Sequence, residues 1–125
     1  MASQSLEFQS RRHNPELEGV IDIDPMEVWE KRTSIAIVDV RRPDEFTGPF
    51  GHIPGALHIV LDTLPEHMDV IPTDKPVVFV CAAGARSGRA CAFALNEGLT
   101  NVYNMKGGMN AWTAQALTVE GKSDY

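Results

Sequence analysis

The chain has 125 residues, 43% of them hydrophobic, and a net charge of −6. That suffices for one domain with its own core and disfavours a nucleic-acid-binding surface. The two cysteines show no zinc-ligand spacing and fit a reducing compartment better than a disulfide scaffold, and no apolar run approaches the roughly 20 residues of a membrane span.

Residues 1–18 are polar, carry Arg11-Arg12 and scattered glutamates, and show no periodicity. They are expected as a flexible tail, with a packed arm as the alternative. They lack the apolar h-region of a signal peptide, which together with the low cysteine count predicts a cytoplasmic protein. Val20-Ile21-Asp22-Ile23 reads as a short strand. Asp24-Pro25 then reads as a helix cap with proline at the first helical position, and Met26, Val28 and Trp29 give that helix an apolar face up to Lys31. Ile35–Val40 is a second strand, followed by the charged pair Arg41-Arg42 and one helical turn at Pro43–Phe46. The glycine- and proline-rich segment from Gly48 to Ala56 is a loop. Leu57–Leu61 is a third strand, Asp62 to about Val70 is helical, and Pro72–Pro76 is a turn.

The next stretch, Val77-Val78-Phe79-Val80-Cys81-Ala82-Ala83-Gly84-Ala85-Arg86-Ser87, organises the rest. Four β-branched or aromatic residues predict a strand buried on both faces. Ser87 is suited to cap the helix that Arg89–Glu97 predicts, and Gly98 to stop it. Asn101–Met105 is a fifth strand, Gly107-Gly108 a tight turn and Met109–Ala116 a last helix. Strands alternating with helices predict a mainly parallel α/β sheet covered on both faces. Cys81 then stands at the carboxyl end of a strand, before a helix N-terminus, where unpaired amides and the helix dipole favour an anion. A thiol there loses its proton readily, and the small residues Ala82, Ala83, Gly84 and Ala85 let backbone donors crowd round one sulfur. The alternative is a cysteine that merely finishes an apolar strand.

Three segments resemble the rhodanese-like domain: Asp39-Val40-Arg41 with Glu45-Phe46 and Gly51-His52-Ile53-Pro54-Gly55-Ala56; Cys81 to Ser87; and Lys106-Gly107-Gly108-Met109-Asn110-Ala111-Trp112. With the flanking elements they cover roughly residues 19–120, leaving 1–18 and 121–125 as tails. The resemblance implies a five-stranded parallel sheet of order 1-5-4-2-3 with the active cysteine after the fourth strand. It implies sulfur transfer: the Cys81 thiolate takes a sulfane sulfur from thiosulfate or a persulfide and holds it as a persulfide. A thiol, cyanide or an acceptor protein then removes it, with no cofactor. The 82–87 amides would stabilise the anionic sulfurs. In cysteine phosphatases and related arsenate reductases the corresponding loop is one residue longer. The four residues between Cys81 and Arg86 suit the sulfurtransferase branch.

Within this frame Arg86 either orients an anionic donor or is a solvated charge. Asp39 is expected to hydrogen-bond the loop from behind. Arg41 and Glu45 are expected to form a local ion pair, a donor-binding role for Arg41 remaining open. His52 is read as structural, Cys91 as a buried apolar residue rather than a resolving thiol, and Met109 and Trp112 as core. The loop lacks internal basic residues, so a dianion such as thiosulfate is expected to bind weakly. A second class remains, a rhodanese-like persulfide carrier, sensor or partner-binding module with little turnover.

Overall fold

Val77–Val80 is the strand on which the layers are built. All four side chains are buried, Val77 and Phe79 in one apolar cluster and Val78 and Val80 in another. The alternation follows from the two-residue period of an extended chain, and the absence of a polar residue places both faces in the interior. The computed structural model describes residues 7–122. In it this strand is β5. Its companions are β1 (Arg12–His13), β2 (Ile21–Ile23), β3 (Ala36–Asp39), β4 (Leu57–His58) and β6 (Val102–Met105). They form one sheet of order β1-β2-β6-β5-β3-β4, in which β1 alone pairs antiparallel.

Helices cover both faces, as alternating strands and helices require. α3 (Ala85–Asn96) and the 3-10 segment Leu61–Val70 close one face through Ala90, Cys91, Ala94 and Leu64. α1 (Pro25–Glu30) and α4 (Gly108–Ala114) close the other through Val28, Met109 and Trp112. α2 (Pro43–Phe46) is the single turn expected after β3. Two boundaries differ from the sequence reading. The third strand is two residues long, and 61–70 winds as 3-10 turns broken at His67, with Pro65 inside removing one backbone donor.

The larger difference is the segment expected as a flexible tail. Residues 1–6 lie outside the described part, but 7–18 form a packed arm. Phe8 is buried against Tyr103 with ring centroids 4.7 Å apart. The Gln9 and Ser10 amides donate to the Glu27 carboxylate, and β1 adds the sixth strand. Asn14 Oδ1 accepts from the amides of Glu16 and Leu17 and turns the chain into β2. The expected five-stranded parallel sheet is therefore a six-stranded sheet with one antiparallel edge. A two-residue strand and one anchoring phenylalanine leave no periodic pattern. Of the expected tail 121–125, Gly121 packs on the His52 ring, and 123–125 lie outside the described residues.

Candidate active site

Cys81 follows β5 directly, and the turn into α3 is made at Gly84 with φ 106°. A side chain is strained in that left-handed conformation. Gly84, not Ser87, holds the cap position. Ser87 lies in the first turn of α3, wholly buried, and its hydroxyl points back at the sulfur. Cys81 Sγ accepts the Gly84 amide at 3.0 Å, and Ser87 Oγ lies 3.3 Å away. Burial pushes the Cys81 thiol up. The Ser87 hydroxyl and the Ser87, Gly84 and Ala83 amides together outweigh that push and hold it below its ordinary value. Cys81 is 1% exposed, so the sulfur sits on the floor of its loop.

α4 holds the carbonyl side of the first two peptides of the loop, and so turns the Ala83 amide toward the sulfur. Met109 N–H donates to the Cys81 carbonyl at 2.8 Å and Asn110 N–H to the Ala82 carbonyl at 2.9 Å. In a trans peptide the C=O and N–H point in opposite directions, so a carbonyl held by α4 turns the next amide the other way. This approach needs Gly108: with φ 57°, a Cβ there would lie 2.3 Å from the Cys81 carbonyl oxygen. The loop is thus clamped between two helix starts.

The charged residues pair differently from expectation. Arg86 neither points freely at the mouth nor is left to solvent. It makes a two-point bridge to Glu45, Nη1 to Oε1 at 2.8 Å and Nη2 to Oε2 at 2.9 Å. Through that bridge, and despite partial burial, Glu45 is lowered to about 2. Arg41 does not pair with the Glu45 carboxylate. Its guanidinium grips Asp39, Nη2 to Oδ2 at 2.8 Å, and donates to the carbonyls of Gly51 and Glu45. Asp39 correspondingly gives its oxygens to Arg41 rather than to the 82–87 loop. The buried pair fastens the end of β3 to the loop after α2, and α2 in turn presents Glu45 to Arg86. His52 Nδ1–H donates to the Phe46 carbonyl at 2.8 Å, and its ring stacks on that of Phe46, a packing role.

Two residues at the site escaped the sequence reading. Asn104 on β6 lies 2.5 Å from Ser87 Oγ, and Asp22 on β2 accepts from Asn104 Nδ2 at 2.9 Å. The signal was a polar residue inside each of two short apolar strands, where a buried polar side chain requires a partner. Among the described residues no group of His, Cys, Asp and Glu is placed to hold a metal. Nor is any helix there long and apolar enough to cross a membrane.

A parallel α/β sheet with a cysteine cradled by amides between a central strand and its following helix defines a class of cysteine-loop domains. The pattern of the rhodanese-like domain matches residues 24–115, and the chain belongs to that family. It is 46% identical over 76 residues to the uncharacterized protein YqhL of Bacillus subtilis, a match covering 61% of this chain and 59% of YqhL. It is 39% identical over 85 residues to a sulfurtransferase of Allochromatium vinosum, covering 68% of this chain and 78% of that protein. Among solved structures, a rhodanese-related protein from Thermoplasma volcanium superposes with TM-score 0.72 at 29% identity, covering 78% of this chain and 94% of that one.

Proposed function

We propose that the chain is a sulfurtransferase that passes a sulfane sulfur through a persulfide on Cys81, in a reducing, cytoplasmic setting. The observation that carries this reading is the Cys81 sulfur ringed by donors. The Gly84 amide lies at 3.0 Å, the Ser87 hydroxyl at 3.3 Å, and the thiol is held below its ordinary value. The sulfurtransferase of A. vinosum, 39% identical, supports it. In the first step the Cys81 thiolate attacks the outer sulfur of the donor. The donor's S–S bond breaks, and its inner sulfur leaves with the electron pair as a thiolate, or as sulfite when the donor is thiosulfate. In the second step an acceptor thiolate or cyanide attacks the outer sulfur of the Cys81 persulfide and restores the Cys81 thiolate. No net oxidation occurs, and the same amides hold the negative sulfur in both steps.

The donor we favour is a small-molecule or protein persulfide rather than thiosulfate. Arg86 is the loop's only charge, and Glu45 neutralises it at two points. Arg41 is neutralised by Asp39. A dianion meets no free cation on the loop itself.

The test is loading followed by discharge. Protein treated with a small persulfide should gain one sulfur on Cys81 by mass spectrometry and lose it to cyanide or a thiol. Absence of that sulfur with every donor would overturn the reading. Loading without onward transfer would make the chain a persulfide carrier instead. On the donor, kcat/KM should favour the persulfide over thiosulfate. Glu45→Gln, which frees Arg86, should raise the thiosulfate value about tenfold, the scale of one recovered charge interaction in a partly wet site.

A further inference from the structure

A buried polar chain runs from β2 through β6 to the sulfur. Asp22 is 4% exposed, Asn104 1% and Ser87 0%. Asp22 Oδ1 receives Asn104 Nδ2 at 2.9 Å and Asn14 Nδ2 at 3.1 Å. A carboxylate only accepts, so Asp22 fixes the Asn104 amide with its NH2 toward β2 and its carbonyl oxygen toward α3. That oxygen also only accepts. Ser87 Oγ lies 2.5 Å from Asn104 Oδ1 and 3.3 Å from Cys81 Sγ, yet a hydroxyl has one hydrogen. Two oxygens this close, one of them a carbonyl, need that hydrogen between them. The sulfur then faces a hydroxyl lone pair, to which a protonated Cys81 donates and an ionised one does not.

We propose that Asp22 and Asn104 are positioning residues that compete with Cys81 for the Ser87 hydrogen, and so keep the sulfur more basic than a Ser87 hydroxyl free to donate to it would. When Cys81 ionises, its proton goes to solvent or to the departing donor thiolate. The Ser87 hydroxyl then turns to the sulfur, and Asn104 Oδ1 loses its buried donor. That loss opposes ionisation. A thiolate kept more basic is a stronger nucleophile, so the relay trades readiness for reactivity. The inference rests on Cys81 being the reacting sulfur, but its test reads the thiol alone and stands whether or not sulfur is transferred.

The charged groups on the elements around Cys81 are Arg86 and Arg89 on α3, with Glu45 on α2 bridging Arg86. Asp39 with Arg41 lies at the end of β3, Lys106 lies before α4, and Asp22 lies behind Asn104. Only Asp22 changes in the experiment. The pH dependence of iodoacetamide alkylation is followed at Cys81 itself by peptide mass spectrometry, so that Cys91 is not counted. Asp22→Asn supplies an amide donor to Asn104 Oδ1. Asn104 can then turn its NH2 to Ser87 and release the hydroxyl to the sulfur. The midpoint should fall by about one pH unit, the scale of one hydrogen bond to a charged group. In a Ser87→Ala background the same substitution should move it by less than about a third as much. An equal fall in both backgrounds would assign the effect to the lost Asp22 charge and overturn the relay. A rise would mean a loosened cradle and overturn it too. Asn104→Ala removes the competing acceptor without touching the charge, so it should lower the midpoint in the same direction. If it leaves the midpoint unchanged with the fold intact by circular dichroism, the proposal fails.

Discussion

Cys81 and Cys91 stand ten positions apart on one strand–helix unit, and both are buried, at 1% and 0% exposure. Burial pushes both thiols up. For Cys91, among Ala90, Ala94 and Val20 and with the Asp22 charge adding to the effect, the result is about 12. Cys81 ends below its ordinary value because Ser87, Gly84 and Ala83 aim donors at it. The pair teaches that burial does not decide whether a thiol is inert. The same low dielectric that penalises a lone charge strengthens every dipole pointed at it. Reactivity here is a matter of which peptide faces turn inward, and that is set by Gly84 and by the clamp from α4.

The comparison breaks most completely at the sulfur itself. Cys81→Ser should cut sulfur transfer about a thousandfold or more, since a hydroxyl forms no persulfide. The melting temperature should stay within a few degrees, because the two atoms are close in size. Retained activity would move the chemistry elsewhere. Gly108→Ala is the next largest. Its Cβ would meet the Cys81 carbonyl oxygen at 2.3 Å and the Ala82 carbonyl carbon at 2.6 Å, in a left-handed conformation. The α4 clamp must back away, at about 2–3 kcal/mol in denaturant melts. The freed Cys81–Ala82 peptides should then raise the alkylation midpoint of Cys81 toward that of a plain thiol. A stability loss with an unmoved midpoint would show that the clamp holds the fold but not the cradle.

How much of this was readable beforehand follows from sequence distance. The strands announce themselves as runs of valine and isoleucine, and the Cys81 loop as a glycine among alanines after such a run. These are local patterns with a local cause. The arm at 7–18 is held by contacts 17 and 18 positions away, such as Ser10 and Gln9 on Glu27. Arg86 finds Glu45 across 41 positions, and Asn104 finds Asp22 across 82. A charged residue chooses among all the partners that the topology brings near it. Arg41 prefers Asp39, two positions back and equally buried, to the half-exposed turn that carries Glu45, and Glu45 is left to the more distant Arg86. Asp22 and Asn104 were visible only as polar intrusions in apolar strands, a sign that they needed partners but not which ones. Ser87 does not cap α3 for a local reason: Gly84 tolerates the left-handed turn and starts the helix about one turn earlier.

The smallest effect is expected at the other cysteine, and it sharpens the contrast by its sign. Cys91 is raised in the fold from 9.0 to about 12, so the native state keeps the proton where the unfolded chain would release it. Stability from this thiol is therefore full below about pH 9 and is lost as pH rises toward 12. In native protein at pH 8, iodoacetamide should label Cys81 alone, with Cys91 following only in urea. Cys91→Ala leaves a one-atom cavity and should cost about 1 kcal/mol at pH 7. It should flatten the alkaline limb of the stability profile and leave sulfur transfer within twofold. A large loss of turnover in a folded Cys91→Ala protein would instead make this thiol a partner of Cys81. The difference between the two sulfurs would then lie in sequence of action rather than in surroundings.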